Sequence, residues 1–421
     1  MGVIYMLSSA RLRFINKISL LNEFFSAYYH ISASDLFSSP GRIEIIGNHT
    51  DHNNGKVLVG TVDLSILALT SKCEENKFIY KTKGFNEMAV DLNDLELREE
   101  EYGKSISLIR GVLFFLKKRG YKIGGVKVIT STNIFKGAGV SSSAAFDVLI
   151  AKIMSFYYND DQISSLELAL VAQEAETYYF NKPCGLLDQL GISLGGINYI
   201  DFKDEKNPLI KNLDYTFKEY DIVLTHCIDS HSKMVAYYAK IKKDMYKVAK
   251  FFNKDTLREV DFSLLLENKE EIIKQIGERQ YNRAEHYFKE NQRVEKAYQC
   301  LLDLDEKGFI NCIEASGQSS FLKLQNCYDK SIEENLPQGI ILSHKILKDG
   351  ATRVHGGGFA GTMIAFVNKK ETNHYIELLK HRFGDKNVTR VRISKFGTRH
   401  VSTIKEILNE GGNNYESNSN S

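Results

Sequence analysis

The most chemically specific string in the chain is FKGAGVSSSAAFDVL at 135–149. Gly137 and Gly139 let backbone come close to a ligand, and Ser141, Ser142 and Ser143 open a helix whose free N–H groups and positive dipole end favour phosphate. Gly137, Ala138, Gly139, Val140 and the three serines are therefore the candidate phosphate cradle. The string lacks G-K-[S/T], so it is not a P-loop. A hydroxyl on the first helical turn can reach Mg²⁺, and Ser143 is placed to do so. Read alone, the same residues also describe an ordinary helix cap behind flexible glycines.

Three further segments carry usable side chains. SSPGRIEIIGNHTDHNNGKVL (38–58) crowds Arg42, Glu44, His49, Asp51 and His52 among three glycines. A metal pair on a helix wants i,i+4 spacing, whereas these histidines are three apart among glycines and asparagines that oppose a helix. Short polar side chains on a loop suit the hydrogen-bonding of sugar hydroxyls, although solvated surface residues would look the same. ATRVHGGGFAGTMIAFV (351–367) contains a formal GxGxxG at Gly356, Gly358 and Gly361. A dinucleotide fingerprint must open a helix, and TMIAFV reads as a buried strand, so a glycine turn covering phosphates or substrate fits better. In AQEAETYYFNKPCGLLDQLGISLGG (172–196), Glu176 falls late on a helix and Asp188 follows the Pro183-Cys184-Gly185 turn. An aspartate beside a positive charge stays ionised and can accept a hydroxyl proton; an isolated one is usually a cap.

The elements that must position these residues are mixed. Extended runs are expected at 57–72, 78–82 and 125–131, with an amphipathic helix between the last two through Ile106, Ile109, Leu113 and Leu116, ending at Gly120. Helices are expected at 142–158 and 163–180. A polar stretch around Asn207–Lys218 marks a junction before a strand at 221–228. Helical patterns follow at 233–252, 268–305, 308–327 and 338–349, then strands at 351–355 and 361–367, a helix at 371–383 and a strand at 389–394. The spacing predicts an α+β class in two domains, 1–215 and 216–410, with a disordered tail at 411–421.

Composition bounds what such a protein can be. Across 421 residues, 55 Lys+Arg against 53 Asp+Glu leave a net charge of +2, too balanced for a protein whose main task is gripping nucleic acid. The 43% hydrophobic content excludes disorder, and no uncharged apolar run is long enough to span a membrane. Six cysteines without CxxC spacing point to reduced thiols in a cytoplasmic protein. The start, MGVIYMLSSARLRF, fits neither a signal peptide nor a myristoylation motif, since Met6 stands where serine or threonine is needed. Fourteen of the 30 glycines lie at 41–60, 137–139, 185–196 and 356–361, the four segments above, so the glycines mark loops with a task.

Taken together, PGRIEIIGNHTDHNNGKVL, GAGVSSSAA, PCGLLDQL and ATRVHGGGFAGT, in that order along nearly the whole chain, resemble the GHMP family of small-molecule kinases and, within it, the galactokinases. The resemblance implies a two-domain fold with the site between the halves, an ATP·Mg²⁺ donor, and a sugar phosphorylated at its anomeric hydroxyl. It implies that residues 137–143 wrap the phosphates and that Ser143 and Glu176 hold Mg²⁺. Asp188 would be the base or orienting group, with Arg42 beside it. Asn48, His49, Thr50, Asp51, Gly185 and Tyr238 would contact the sugar. Three residues depart from the family pattern: Asn48 where glutamate is usual, His52 where tyrosine is usual, and Glu44 where asparagine is usual. Removing a charge at position 48 would tolerate a carboxylated sugar, so galacturonate stands as an alternative to galactose. A non-catalytic sensor of ATP and sugar is the other alternative. His355, where threonine is common, would either face the pocket or make a structural hydrogen bond. The sequence leaves oligomeric state open, and a monomer is compatible with it.

Overall fold

The computed structural model describes residues 9–135, 137–227, 234–328, 335–359 and 361–409. The readings of the first eight residues and of the tail at 411–421 lie outside the described residues. The strands are β1 (Asp35–Ile46), β2 (Lys56–Lys72), β3 (Lys77–Thr82), β4 (Met88–Asp91), β5 (Val126–Thr132), β6 (Ile197–Asp201), β7 (Leu209–Leu213), β8 (Tyr220–His226), β9 (Gly350–Val354), β10 (Thr362–Asn368), β11 (Val388–Val391) and β12 (Arg399–Thr403). The helices are α1 (Ser9–Tyr29), α2 (Ser105–Lys118), α3 (Ser142–Tyr158), α4 (Ser165–Glu174), α5 (Leu187–Leu194), α6 (Met234–Phe251), α7 (Phe262–Glu267), α8 (Lys269–Gln275), α9 (Glu278–Leu302), α10 (Glu306–Ser319), α11 (Asn335–Ile346) and α12 (Thr372–Phe383).

Eight strands form the first sheet, with order β12-β1-β2-β5-β3-β4 and β6 and β7 branching from β2; four form the second, β11-β8-β10-β9. Helices α2, α3 and α4 bury their apolar faces on the first sheet around Phe78, Val128 and Leu149. One apolar cluster then joins the halves: Ile43, Ile45 and Leu58 of the first sheet meet Ile222, Leu224, Ile364 and Phe366 of the second. The chain thus has the α+β class expected.

Several boundaries differ from the expectation, each for a local reason. Residues 38–46, expected as part of a loop, continue β1, because IEII alternates as a strand and Pro40 sits where the register shifts between Pro40 and Arg42. Proline is tolerated at such a bulge since its missing N–H breaks no ladder bond. The single helix expected at 268–305 is two, broken at Gly277, whose φ of +126° lies outside helical space. The polar run taken as a junction contains β7, which pairs with β6, so the passage between sheets is shorter, at 214–219. Strands β1–β7 and β8–β11 fall on opposite sides of 215/216, but β12 does not follow that division. It pairs with β1, from Asp35 opposite Thr403 to Ser38 opposite Arg399, so the last part of 216–410 belongs to the first sheet.

Candidate active site

Strand β1 sets the site. Alternation turns Ile43 and Ile45 into the core and puts Arg42 and Glu44 on the wall of a cavity of about 930 Å³. That volume suits a nucleotide and a hexose together. The phosphate cradle forms another wall: Gly137, Ala138, Gly139, Val140, Ser141, Ser142 and Ser143 all line the cavity. Gly139 has φ +73°, and a Cβ there would press on Thr362 and His355, so the turn needs glycine twice over. Ser141 is left-handed (φ 57°, ψ 62°), which turns its side chain away from the helix and leaves the first turn of α3 uncapped by it. The start of α3 therefore lies at the cavity wall with its first N–H groups uncapped, where an anion gains roughly 0.3–1 kcal/mol from the dipole.

Beside the cradle, three groups interlock. Asp188, on the first turn of α5, accepts from Arg42 Nε at 2.8 Å and Nη2 at 2.7 Å through Oδ1, while Ser141 Oγ donates to its Oδ2. Arg42 Nη1 also donates to Gly139 O at 2.7 Å, and its backbone N–H to Val140 O at 3.1 Å, clamping the cradle to β1. Burial alone would raise the Asp188 pKa, but Arg42, then Ser141 and Lys182, hold it below the ordinary carboxylate range. The aspartate is therefore ionised, as the arginine-paired reading of the sequence required, and it is not a mere cap.

A second cluster lies at the start of α3. Ser143 Oγ donates to Glu176 Oε1 at 2.8 Å, and Lys182 Nζ reaches the same oxygen at 2.6 Å. Gln189 Nε2 donates to Oε2 at 2.7 Å. Glu176 lies where α4 widens into a π-helical turn at Ala175–Tyr179, a local rewinding that sequence periodicity does not reveal. One turn beyond Ser143, Asp147 is fully buried with neither oxygen partnered. Burial, then the charge of Glu176, lifts its pKa well above the usual range, so it stands neutral.

The sugar-loop residues divide. His49, Asp51, Gly185 and Tyr238 line the cavity. Asn48 and Thr50 do not, and here the sequence expectation needs correction. Thr50 Oγ1 is spent on Gly47 O at 2.8 Å and Lys56 O at 2.7 Å, closing the turn after β1. Asn48 is fully buried: Nδ2 donates to Glu44 Oε1 at 2.9 Å and Gly356 O at 2.7 Å, and Oδ1 accepts from Asn326 Nδ2 at 2.7 Å and Ser320 Oγ at 3.3 Å. With both amide atoms committed, its side chain has nothing left for a sugar. Asp51 is the opposite case, since burial and then Glu44 push its pKa up to about 7. A Cβ on Gly185 would lie 2.2 Å from Asp51 Oδ2, so glycine there makes room for that carboxylate.

Two histidines hold the loop in neutral form. Leu257 N–H donates to Asn53 Oδ1 at 3.2 Å, which fixes the amide so that Nδ2 faces His52 Nδ1 at 3.0 Å. His52 Nε2 must then carry the proton toward His49 Nδ1 at 3.1 Å, and His49 Nε2 donates to Gly357 O at 3.0 Å. Burial lowers the His49 pKa to about 4 and that of His52 well below its ordinary value, in keeping with this chain of single protons. Tyr238, whose hydroxyl donates to Gly358 O at 3.2 Å, packs beside His49. His355 does both things the sequence allowed: it lines the cavity, and its Nε2 accepts from Glu44 N–H at 3.1 Å.

Some residues of the site have no sequence signal. Glu290 of α9 accepts from the backbone N–H groups of Gly47 at 3.1 Å and Asn48 at 3.3 Å, and His286 Nε2 meets Asn48 O at 3.0 Å. They sit in a long charged helix whose pattern is that of any solvated helix. Only the tertiary fold brings them under the loop. Lys182 could have been marked by its place between Glu176 and Asp188, and Glu44 by its departure from the family pattern.

Comparison with known proteins identifies the family. Residues 23–72 match the family model for the galactokinase galactose-binding signature, and residues 107–196 that for the GHMP kinase N-terminal domain. A galactokinase of Thermotoga petrophila is 31% identical over 352 residues, covering 82% of this chain and 94% of that protein. The chain belongs to the galactokinase family of GHMP kinases. A galactokinase of Clostridium tetani is 28% identical, covering 88% of this chain and 95% of its own. Among solved structures, Lactococcus lactis galactokinase complexed with galactose superposes with a TM-score of 0.80 at 21% identity, covering 91% of this chain and 100% of that one. Methanococcus jannaschii mevalonate kinase gives 0.59 at 15%, covering 86% and 98%. The GHMP kinase fold follows from these matches. The family's enzymes are ATP-dependent sugar kinases, and the departures at positions 44, 48 and 52 lie within the matched signature.

Proposed function

We propose that this chain is a galactokinase, transferring the γ-phosphoryl of ATP to the anomeric hydroxyl of galactose, with Asp188 and Arg42 at the reacting centre. The observation that carries the reading is the Arg42–Asp188–Ser141 cluster at the foot of the phosphate cradle. Ser141 donates to Asp188 Oδ2 as a sugar hydroxyl would, so that oxygen is the acceptor the substrate takes over. As the O–P bond forms and ADP leaves, the hydroxyl proton passes to Asp188. A carboxylate held below its usual pKa accepts a proton late, when the attacking oxygen has already turned acidic. Its earlier work is orientation. Arg42 keeps Asp188 ionised and offers positive charge to the transferring phosphoryl.

Residues 137–143 hold the phosphates through backbone N–H groups. The hydroxyl and carboxylate donors of Ser143 and Glu176 suit Mg²⁺, which takes few protein ligands and several oxygens from phosphates and water. That Lys182, a cation, already rests on Glu176 fits a carboxylate that accommodates positive charge. When bound, Mg²⁺ would neutralise charge on the phosphates. His49, Asp51, Gly185 and Tyr238 form the sugar wall. All described cysteines are free, which supports a cytoplasmic setting, and no described helix is long and apolar enough to cross a membrane.

Two alternatives lose support. Asp188, Arg42 and the serine cradle are all in place, which favours a kinase over a sensor. The case for galacturonate rested on Asn48 facing the sugar, and Asn48 is closed off. The deciding experiment couples ADP release to galactose, N-acetylgalactosamine, galacturonate and arabinose. Galactose-dependent ADP release is expected, and ADP release with none of the four would overturn the reading.

A further inference from the structure

We infer that Glu44 is the residue by which this site selects a neutral sugar, supplying at the cavity wall the carboxylate that position 48 lacks. The inference rests on the sugar-kinase reading given above. Glu44 shares with Arg42 the cavity face of β1 and lines the cavity itself. Its Oε1 takes both protein contacts, from Asn48 Nδ2 at 2.9 Å and Arg353 Nη2 at 2.6 Å. Oε2 has no partner among the described residues, although the side chain is 92% buried by its 8% exposure. That oxygen keeps surface open to the cavity, and a sugar bound against it takes that surface from water, so only a hydroxyl that donates to it spares the cost of an unpaired acceptor.

The surroundings decide which ligand can do so. Arg353 is fully buried behind Glu44, its Nη1 committed to Ile45 O at 2.8 Å, so it offers no cation to the cavity. Asp51 stands close enough for Glu44 to raise its pKa. Lys242 lines the same cavity but acts on Asp51 and His52. Burial raises the Glu44 carboxyl above its usual range while Arg353, then Arg42 and Asn48, draw it toward the charged form, and Arg42 is itself held by Asp188. Against the charged form a sugar carboxylate meets like charge, while a hydroxyl meets an open acceptor. Sites built to bond a hydroxyl reject analogues that cannot supply one far more strongly than apolar pockets reject a methylene. In this chain the pair's one carboxylate stands at the lining position 44 and the amide at the sealed position 48.

The test measures kcat and KM with galactose and galacturonate for the wild type and Glu44→Gln, with ATP affinity as the control for folding. The wild type is expected to favour galactose by about a hundredfold or more in kcat/KM. In Glu44→Gln the KM for galactose should rise about tenfold or more, kcat should change less, and the preference should shrink. If the glutamine leaves Arg353 unpaired and the protein unfolded, Glu44→Gln with Arg353→Met removes both charges and is read in the same way. Equal use of both sugars by the wild type, or an unchanged KM and preference in a variant that still binds ATP, overturns the inference. Calorimetric sugar binding without ATP separates the two readings. Glu44-dependent galactose binding without turnover with any sugar would overturn the kinase assignment alone.

Discussion

The two sides of the cavity treat their charges in opposite ways. On the transfer side, Asp188 has a partner on each oxygen and a depressed pKa, and Glu176 is satisfied by Ser143, Lys182 and Gln189. On the sugar side, Glu44 leaves an oxygen open, Asp51 is raised to about 7, and His49 and His52 are neutral. The chemistry side is set before any ligand arrives, and the recognition side is completed by one. Preorganised charge lowers a barrier because nothing needs to reorganise during the reaction, whereas unfilled acceptors lend their desolvation to specificity.

The sharpest way to break this contrast is at Asp188. Asp188→Asn keeps the shape but removes the charge that Arg42 holds, and turnover should fall at least about 100-fold while ATP affinity stays within a few fold. A comparable kcat in the variant would mean that the transfer side is not charge-driven. The next effect is in pH. Asp51, with a pKa of about 7, is the stronger acceptor for a sugar hydroxyl once ionised, so kcat/KM for sugar should climb as pH rises through about 7 and level above it. Asp188, already ionised, adds no inflection there. Asp51→Asn should lower kcat/KM and flatten the profile; a profile that keeps its inflection would assign it elsewhere. The stability sign runs the other way for Asp51: its raised pKa favours the folded state below its unfolded value near 3.8, a benefit lost as pH rises through about 7.

A smaller effect is expected at Gly185. A methyl there must push Asp51 Oδ2 aside, which a side-chain end can do cheaply. Gly185→Ala should therefore raise sugar KM several-fold with the melting temperature nearly unchanged. The smallest belongs to Ser141→Ala, which takes one hydrogen bond from Asp188 but leaves Arg42, and should cost kcat only about two- to threefold. If that loss exceeded the one from Asp188→Asn, the serine would be more than a stand-in for substrate.

Much of this was legible in the residues because local chemistry is written locally. The glycines and serines of the cradle carry their reasons in adjacent positions, whereas Asp188 after its proline turn needed Arg42, 146 residues away, to be more than a cap. The residues that misled did so through tertiary contacts. Asn48 looks available until Asn326, Ser320 and Gly356 are brought around it from the other half of the chain. The support of the loop backbone by Glu290 and His286 is likewise invisible, since the spacing of 238 residues between His286 and Asn48 has no sequence signature. The strand character of 38–46 was hidden by Pro40 and Gly41, which read as loop punctuation until a bulge accommodates them.

The pairing of β12 with β1 also sets an order of assembly. Arg42 and Glu44 lie on a strand whose first part, Asp35–Ser38, is covered on its outer edge by residues 399–403, more than 350 residues further along the chain. On a ribosome, that edge stays open while more than 350 residues follow, exposing a row of unpaired N–H and C=O groups. The start of the catalytic strand is thus closed by residues far along the chain, and a chain cut short before residue 399 would carry the named active-site residues and still leave Asp35–Ser38 an unfinished edge.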